Sequence, residues 1–481
     1  MPDSTDDAEV AASTPRSART GILIGARALT GVIGIVIGVG VIAAATFRPL
    51  PTLGAGAPST AVTPVPAAQQ LVCPGSVMRL GDENGANATT TSAIGSPTTT
   101  REVSSGTLET RTLASTDAGG GSGAPILVTA EAAAATSLAG AQSQIVSTAD
   151  YRGFAAAECA RPSSDSWLVG GSTATGRTTL LTIANPGAAL STVTIEIFGE
   201  DGIIDAPGTN GIVVAPGSQR VLSLAGFAPS LESLSVHVTS RGGPVVANLQ
   251  QSIVRGIDAG GVEIIGATTS PAETNVIPGV LIHDAAGIEA SLGAEGYDDL
   301  GTVVRVLVPG TEAAEATIRV IPTAAGAEAA SFDLSLPAGI VTDVPVDELP
   351  DGSYTVVVET SVPVAASVRA STISDGASDL AWFASADALT DSAFVVVATG
   401  PSATLQFGNP GDESATVLVG DVTVEVPARS SAALTVDDNS SYLVTGADGL
   451  FASVSYSAAG RLGSYLVGAS ATREPAVVVY P

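Results

Sequence analysis

Apolar and polar positions along this chain follow two patterns. Near the N-terminus, Ala28 to Phe47 is an unbroken uncharged stretch of twenty residues, ALTGVIGIVIGVGVIAAATF, bounded by Arg27 and Arg48. At about 1.5 Å per residue, a helix of that length covers the ~30 Å hydrocarbon core of a bilayer. From Trp167 onward the pattern changes to period two. Val193-Thr-Ile195-Glu-Ile197, Leu234-Ser-Val236-His-Val238 and Tyr354-Thr-Val356-Val-Val358 are examples. Alternation of this kind gives a strand one buried and one solvated face, and β-branched residues suit a pleated surface. Gly, Pro, Asn and Asp punctuate these runs every eight to fourteen residues. Such spacing predicts β-sandwiches rather than crossover helices. The expected fold is an all-β ectodomain of tandem immunoglobulin-like β-sandwich modules after one N-terminal transmembrane helix.

Three landmarks recur in the same order. Leu181-Thr-Ile183-Ala-Asn185-Pro186-Gly187 matches Val306-Leu-Val308-Pro309-Gly310 and Leu405-Gln-Phe407-Gly-Asn409-Pro410-Gly411. Each is a strand running into a Pro-Gly turn. A second turn follows at Ala215-Pro216-Gly217, Leu336-Pro337-Ala338-Gly339 and Val426-Pro427-Ala428. The third landmark is Arg241-Gly-Gly-Pro244-Val245, then Ser361-Val-Pro363-Val364, then Gly449-Leu-Phe451. First and third landmarks lie 58 and 54 residues apart in the first two units, and near 40 in the last, which predicts a lost hairpin there. The modules are placed at 166–275, 276–388 and 389–481, the last being the shorter, with modest contacts between neighbours in an elongated rod.

The remaining boundaries follow from composition and charge. Arg16, Arg19 and Arg27 precede the apolar stretch and only Arg48 follows closely, which puts the tail 1–27 in the cytoplasm and 49–481 outside. The competing reading is a signal peptide cleaved near Ala43-Ala44-Ala45. The Pro/Ala/Thr-rich segment 48–70 reads as a semi-extended stalk. Residues 71–165 read as a small β-rich region, with strands near Val77–Leu80, Thr107–Leu113 and Ile126–Thr129. The run Ala130–Ala141 has helical composition. Cys73 and Cys159 are the only cysteines; outside a membrane they favour one disulfide, the alternatives being free thiols or an intermolecular bond. Closing a loop of about 86 residues is worth roughly 4.5 kcal/mol in the chain-entropy account.

The chain carries 47 acids against 19 arginines and no lysine, for a net charge of −28. Residues 1–48 hold four of each sign, so the ectodomain carries all of that excess. Such a field excludes nucleic acid as a partner. Two histidines and two cysteines leave little for acid–base, thiol or soft-metal chemistry. No GxSxG, HExxH, CxxC or phosphate-binding loop appears, so neither catalytic residues nor a cofactor or metal is expected. His237 is expected on an outer strand face, and His283-Asp284 in a turn. The acidic pairs Glu200-Asp201, Asp298-Asp299 and Asp437-Asp438 lack the spacing of a calcium loop. Trp167 and Trp382 sit at module junctions, where they either pack an interface or offer a stacking platform to a carbohydrate.

Cys73-Pro74-Gly75, Cys159, Trp167-Leu-Val-Gly170-Gly171, Asn185-Pro186-Gly187, Phe198-Gly-Glu-Asp-Gly202 and Val214-Ala-Pro216-Gly217-Ser218 occur here in that order. With these motifs the chain resembles an actinobacterial family of membrane-anchored envelope proteins of unknown function, most clearly over 160–385. Members tend to be encoded near a large membrane glycosyltransferase, so the resemblance implies a place in envelope glycan assembly and brings no catalytic residues. The expected role is therefore structural, scaffolding or interaction-based, in the cell envelope. The partners would be an envelope protein, a glycosyltransferase or wall glycan. A carbohydrate-binding accessory is the first alternative. A hydrolase is the second, and it would need a cleft with converging acids and a raised carboxyl pKa.

Overall fold

The computed structural model describes residues 31–43, 60–62, 68–81, 90–119, 123–131, 137–323, 330–346, 348–468 and 477–479. The tail 1–27 and most of the stalk lie outside these residues. Contacts divide them into two units. One holds a helix over 31–43 and a two-stranded antiparallel sheet of Thr60–Val62 and Val477–Val479. The helix exposes Val32, Ile35, Val36, Val39 and Ile42. Among the described residues no helix is long and apolar enough to cross a membrane. The second unit holds everything from 68 to 468 and is built almost wholly of strands.

Three blocks of this unit share one strand order. The third block shows it most simply. One sheet runs Ser392–Val397, Ser440–Thr445, Ala415–Val419, Val422–Val426, and the other runs Ser430–Thr435, Thr404–Asn409, Phe451–Ala458, Arg461–Leu466. By position in the chain these orders are first-sixth-third-fourth and fifth-second-seventh-eighth. The first block (Asp165–Val169 to Asp258–Ile265) and the second (Ala272–Ile282 to Ala377–Ala384) repeat them. An immunoglobulin domain shares the second-fifth and third-sixth pairings, but there the first strand joins the second and the seventh joins the sixth. Here those two strands join the opposite sheets. Turn spacing predicts how many strands there are, but not which sheet a crossing enters.

The repeated landmarks have structural meaning. Asn185 Nδ2 donates to the carbonyls of Ala189 (2.8 Å) and Val214 (3.0 Å) while its Oδ1 accepts from the Gly187 amide, tacking the first turn to the second. Asn409 does the same with Glu413, Val426 and Gly411. The third landmark is where the chain crosses from one sheet to the other. In the second block the 23-residue strand Gly352–Ser374 makes this crossing without a break, pairing Val364 with Ala272 in one sheet and Ala365 with Leu307 in the other. Pro363 lies at the crossing, where it has no N–H to offer a ladder. The third block has not lost a hairpin. Its third and fourth strands are shortened to Ala415–Val419 and Val422–Val426 and joined by a two-residue turn.

The region 68–158 forms three small sheets, including Arg152–Glu158, Leu138–Ser147 and Thr98–Val103. The predicted strands appear as Met78–Leu80, Leu108–Thr112 and Ile126–Ala130. Within the alanine-rich run, residues from Leu138 on are strand and not helix, because pairing on both sides overrides alanine's helix preference. The Cys73–Cys159 disulfide is formed.

The cores of these four regions are not separate. The last strand of each is buried on both faces, one in its own region and one in the region before it. Ala381 and Phe383 of Ala377–Ala384 belong to the second block's core, while Leu380 and Trp382 lie in the first. Leu462 of the third block lies in the core of the second, and Val262 and Ile264 of the first lie in that of the N-terminal region. Phe154 and Ala156 of the N-terminal region complete the series in the core of the third block. These four strands pack around one junction. Modest contacts between neighbours are therefore not what the chain forms.

Candidate functional site

At that junction Asp379 is 1% exposed and receives the amide hydrogens of Phe154 (2.8 Å), Val262 (3.2 Å) and Leu462 (3.2 Å). One side chain thus ties four strands. Gly153 leaves room for it, since a Cβ there would lie 2.4 Å from Asp379 Oδ1. Two arginines clamp the first block to the second. Arg305, fully buried, grips Asp343 through Nε (2.7 Å) and Nη2 (2.8 Å) and donates across the boundary to the carbonyls of Gly171 (2.6 Å) and Leu234 (3.2 Å). Arg255 reaches Asp299 at 2.6 Å, and Arg177 holds the same carboxylate at 2.9 Å. Burial alone would raise Asp299 and Asp343, but the arginine charges and hydrogen bonds outweigh it and hold both below the usual carboxylate range.

These residues are structural and largely hidden. The solvent-facing candidate is a groove beside the disulfide. Cys159 is linked to Cys73, and Ala160 exchanges backbone hydrogen bonds of 2.9 and 3.0 Å with Val72, fixing the chain on either side of Glu158 and Arg161. Across from them, Thr268 donates its amide to the Trp167 carbonyl at 2.8 Å. The depression between encloses about 420 Å³; its lining includes Glu158, Arg161, Ser166, Thr268, Ser270 and Asp387. A second hollow of about 210 Å³, walled by Phe394 and Tyr465, shares Glu158 and Arg161 with it.

Glu158 is half-buried as a residue, and burial of its carboxyl group pushes it up to about 7. Arg161 opposes that shift and Asp387 adds to it. Burial in turn lowers Arg161, and the Glu158 charge opposes that shift. Among the described residues, the two lie in one groove without a hydrogen bond or a close ion pair. Asp387 is already engaged by the Thr269 hydroxyl. The groove can therefore offer a ligand one acceptor, one cationic donor and several hydroxyls.

Trp382 presents no open ring face, whereas Trp167 is among the residues lining the groove. Trp382 is 3% exposed, its Nε1 donating to Gln251 Oε1 at 2.7 Å and its ring lying under the Arg305 guanidinium. Trp167 is half-buried; the His237 ring is stacked on it at 3.9 Å between centroids, and Phe198, Leu307 and Val341 pack beside it. His237 sits on the outer strand face between Glu196 (2.9 Å) and Asp165 (3.1 Å). His283 is 3.0 Å from Asp284, whose Oδ2 also accepts the Thr372 hydroxyl (3.1 Å) beside a short helix. Several of the loop acids fasten backbone: Glu200 accepts from the Glu232 and Ser233 amides, and Asp438 from that of Gly400. Among the described residues no group of three His, Cys, Asp or Glu could hold a metal ion. Sequence reasoning missed Glu158, Arg161, Glu263, Arg305 and Asp379. Three of them carry a signal, a lone charge inside an apolar strand: VVRVL, GGVEII and ASDLAWF.

The fold and site define an all-β protein of three like blocks and a small N-terminal region, interlocked through buried charges, with a groove beside its disulfide. A family model described as a family of unknown function (DUF5719) matches residues 113–447, and the chain belongs to that family. No curated protein and no solved structure matches it.

Proposed function

We propose that this chain is a membrane-anchored, non-enzymatic protein of the cell envelope whose β ectodomain scaffolds a partner outside the membrane. The apolar stretch Ala28–Phe47 with its arginine bias supports the anchor and its orientation. The observation that carries the scaffold reading is the interlocking itself. Four regions joined through Asp379, Arg305 and shared cores hold the groove walls, which come from distant parts of the chain, in one fixed arrangement. Preorganised surfaces bind with less entropic cost than mobile ones. The partner is an envelope protein, such as a membrane glycosyltransferase. Mild crosslinking in cells should recover the same partner repeatedly with the intact chain, and lose it with Glu158→Ala/Arg161→Glu. Recovery unaffected by those changes would count against the groove as the contact.

A second reading is favoured by the groove lining, where Ser166, Thr268 and Ser270 stand with Glu158 and Arg161. That chemistry suits the hydroxyls of a wall glycan, bound by hydrogen bonds in a groove that Trp167 also lines. Wall polysaccharide binding by the purified chain, weakened by Glu158→Gln, would favour it over a protein partner. Glycan cleavage abolished by the same substitution would overturn the non-enzymatic reading, since a carboxyl near neutrality is what an acid catalyst requires.

A further inference from the structure

The junction of the four closing strands contains a second carboxyl group. Glu263 is fully buried, and neither of its carboxyl oxygens has a close hydrogen-bond partner among the described residues. The Ser464 amide favours its anion, but less than burial and the Asp379 charge oppose it. Asp379 is the opposite case. The amides of Phe154, Leu462, Val262 and Leu380 all favour its charged form, and the first three donate to it directly. Burial raises both groups, and the Asp379 charge raises Glu263 further.

Other charges around the pair are accounted for strand by strand. Arg255 Nη1 donates to Ser378 Oγ and the Gly260 carbonyl beside the pair, while its Nη2 is taken by Asp299. The strand Asp258–Ile265 also carries Asp258, Arg152–Glu158 carries Arg152 and Glu158, and Arg461–Leu466 carries Arg461. Among the described residues the hydrogen bonds to Asp379 come from amides and none from these side chains.

Two carboxylates in one water-poor site cannot both stay ionised, so such a pair retains a proton and titrates as a unit. We propose that Glu263 and Asp379 together keep one proton, on Glu263, and that this makes the junction a latch that loosens when the proton leaves. Asp379 is the first of the two to ionise because its oxygens already accept from three strands. Glu263 remains neutral because its surroundings offer almost nothing to an anion. Losing the proton sets like charges against each other at the point where all four regions meet.

The folded state holds a proton that the unfolded chain releases near pH 4.3, the ordinary value for Glu. Stability therefore falls as pH rises from there to the pair's own pKa, and levels off above it. Glu158 contributes in the same direction only up to about 7, and Asp379 only up to about 8. The test is thermal and denaturant unfolding of the full chain in detergent between pH 7 and 9, with Glu263→Gln, Asp379→Asn and Glu158→Gln beside the wild type. The wild-type folded-to-unfolded ratio should fall by up to tenfold per pH unit. Glu263→Gln should lose the slope above about pH 8, where Asp379, raised to about 8 by burial, has finished titrating, and should melt above wild type at pH 9. Asp379→Asn should melt lower at every pH, and Glu158→Gln should keep the wild-type slope. Infrared difference spectra at pH 7 should show a protonated carboxylic acid that Glu263→Gln removes. A wild-type slope in Glu263→Gln, or the absence of that band in the wild type, overturns the proposal.

Discussion

The guanidinium carbon of Arg305 lies 4.6 Å from the centre of the Trp382 ring while two of its nitrogens hold the Asp343 carboxylate. Both Arg305 and Asp343 come from the second block, but the Arg305 donors end on carbonyls of the first. The pair is thus a bolt between blocks as much as an ion pair within one.

Removing that bolt should be costly. Breaking a buried ion pair from one side leaves an unpaired charge and typically costs ~3–5 kcal/mol. Arg305→Ala should fall in that range by denaturant unfolding. Arg305→Lys should recover little, since an ammonium cannot span Asp343 and two carbonyls in one plane.

The same pair sets an acid limit. Asp343 and Asp299 have folded-state pKa values below their unfolded ones, so their contribution is present above about pH 3.9 and lost as pH falls through the depressed values. Acid unfolding should shift to higher pH in Asp299→Asn, followed by circular dichroism. An unchanged acid midpoint would show that Arg255 and Arg177 do not use that carboxylate.

Trp382→Ala should destabilise by about 3–5 kcal/mol, the usual cost of emptying a large buried site, and leave Gln251 Oε1 without its donor. Trp167→Ala removes a half-buried ring and should cost less. Trp382→Ala should not alter glycan binding directly, since that ring is buried away from the groove. A selective loss of binding by folded Trp167→Ala would restore the stacking role to that ring.

Gly153→Ala tests the closeness of the junction. Its Cβ would meet Asp379 Oδ1 and the Val262 amide, and overpacking of this kind typically costs ~1–3 kcal/mol. The unfolding midpoint should drop well below that of Gly310→Ala, where a Cβ meets nothing within 4 Å.

Reduction of Cys73–Cys159 should lower stability by up to roughly 4.5 kcal/mol. It should also loosen the groove wall at Glu158. Hydrogen exchange at Glu158 to Arg161 should rise on reduction more than exchange at Val417 or Val454, deep in the third block.

Much of the β architecture was legible, because alternation and turn residues are local signals. The three landmarks even marked the sheet crossings, although their spacing in the third block suggested a missing hairpin that is only a short one. The sheet order was not legible, since Arg241 to Val245 looks the same whichever sheet the chain enters next. The groove was less legible still. Glu158 gains its character from residues 267–270, 387 and 466–468, and no local pattern joins segments so far apart. Asp379 and Glu263 were passed over because a single acid in a strand ordinarily faces water. Glu263 stands between Val262 and Ile264, and Asp379 leads into Leu380-Ala-Trp-Phe383, runs that a strand buried on both faces requires.

Each closing strand completes the core before its own, and the N-terminal region completes the last. The unit of repetition in the sequence is therefore not the unit of folding. A fragment cut at a repeat boundary would lack a wall of its neighbour's interior, so isolated repeats should collapse or aggregate while 68–468 melts in one cooperative step. A repeat copied on its own therefore carries only part of its interior, and the rest comes from the closing strand of the region that follows it.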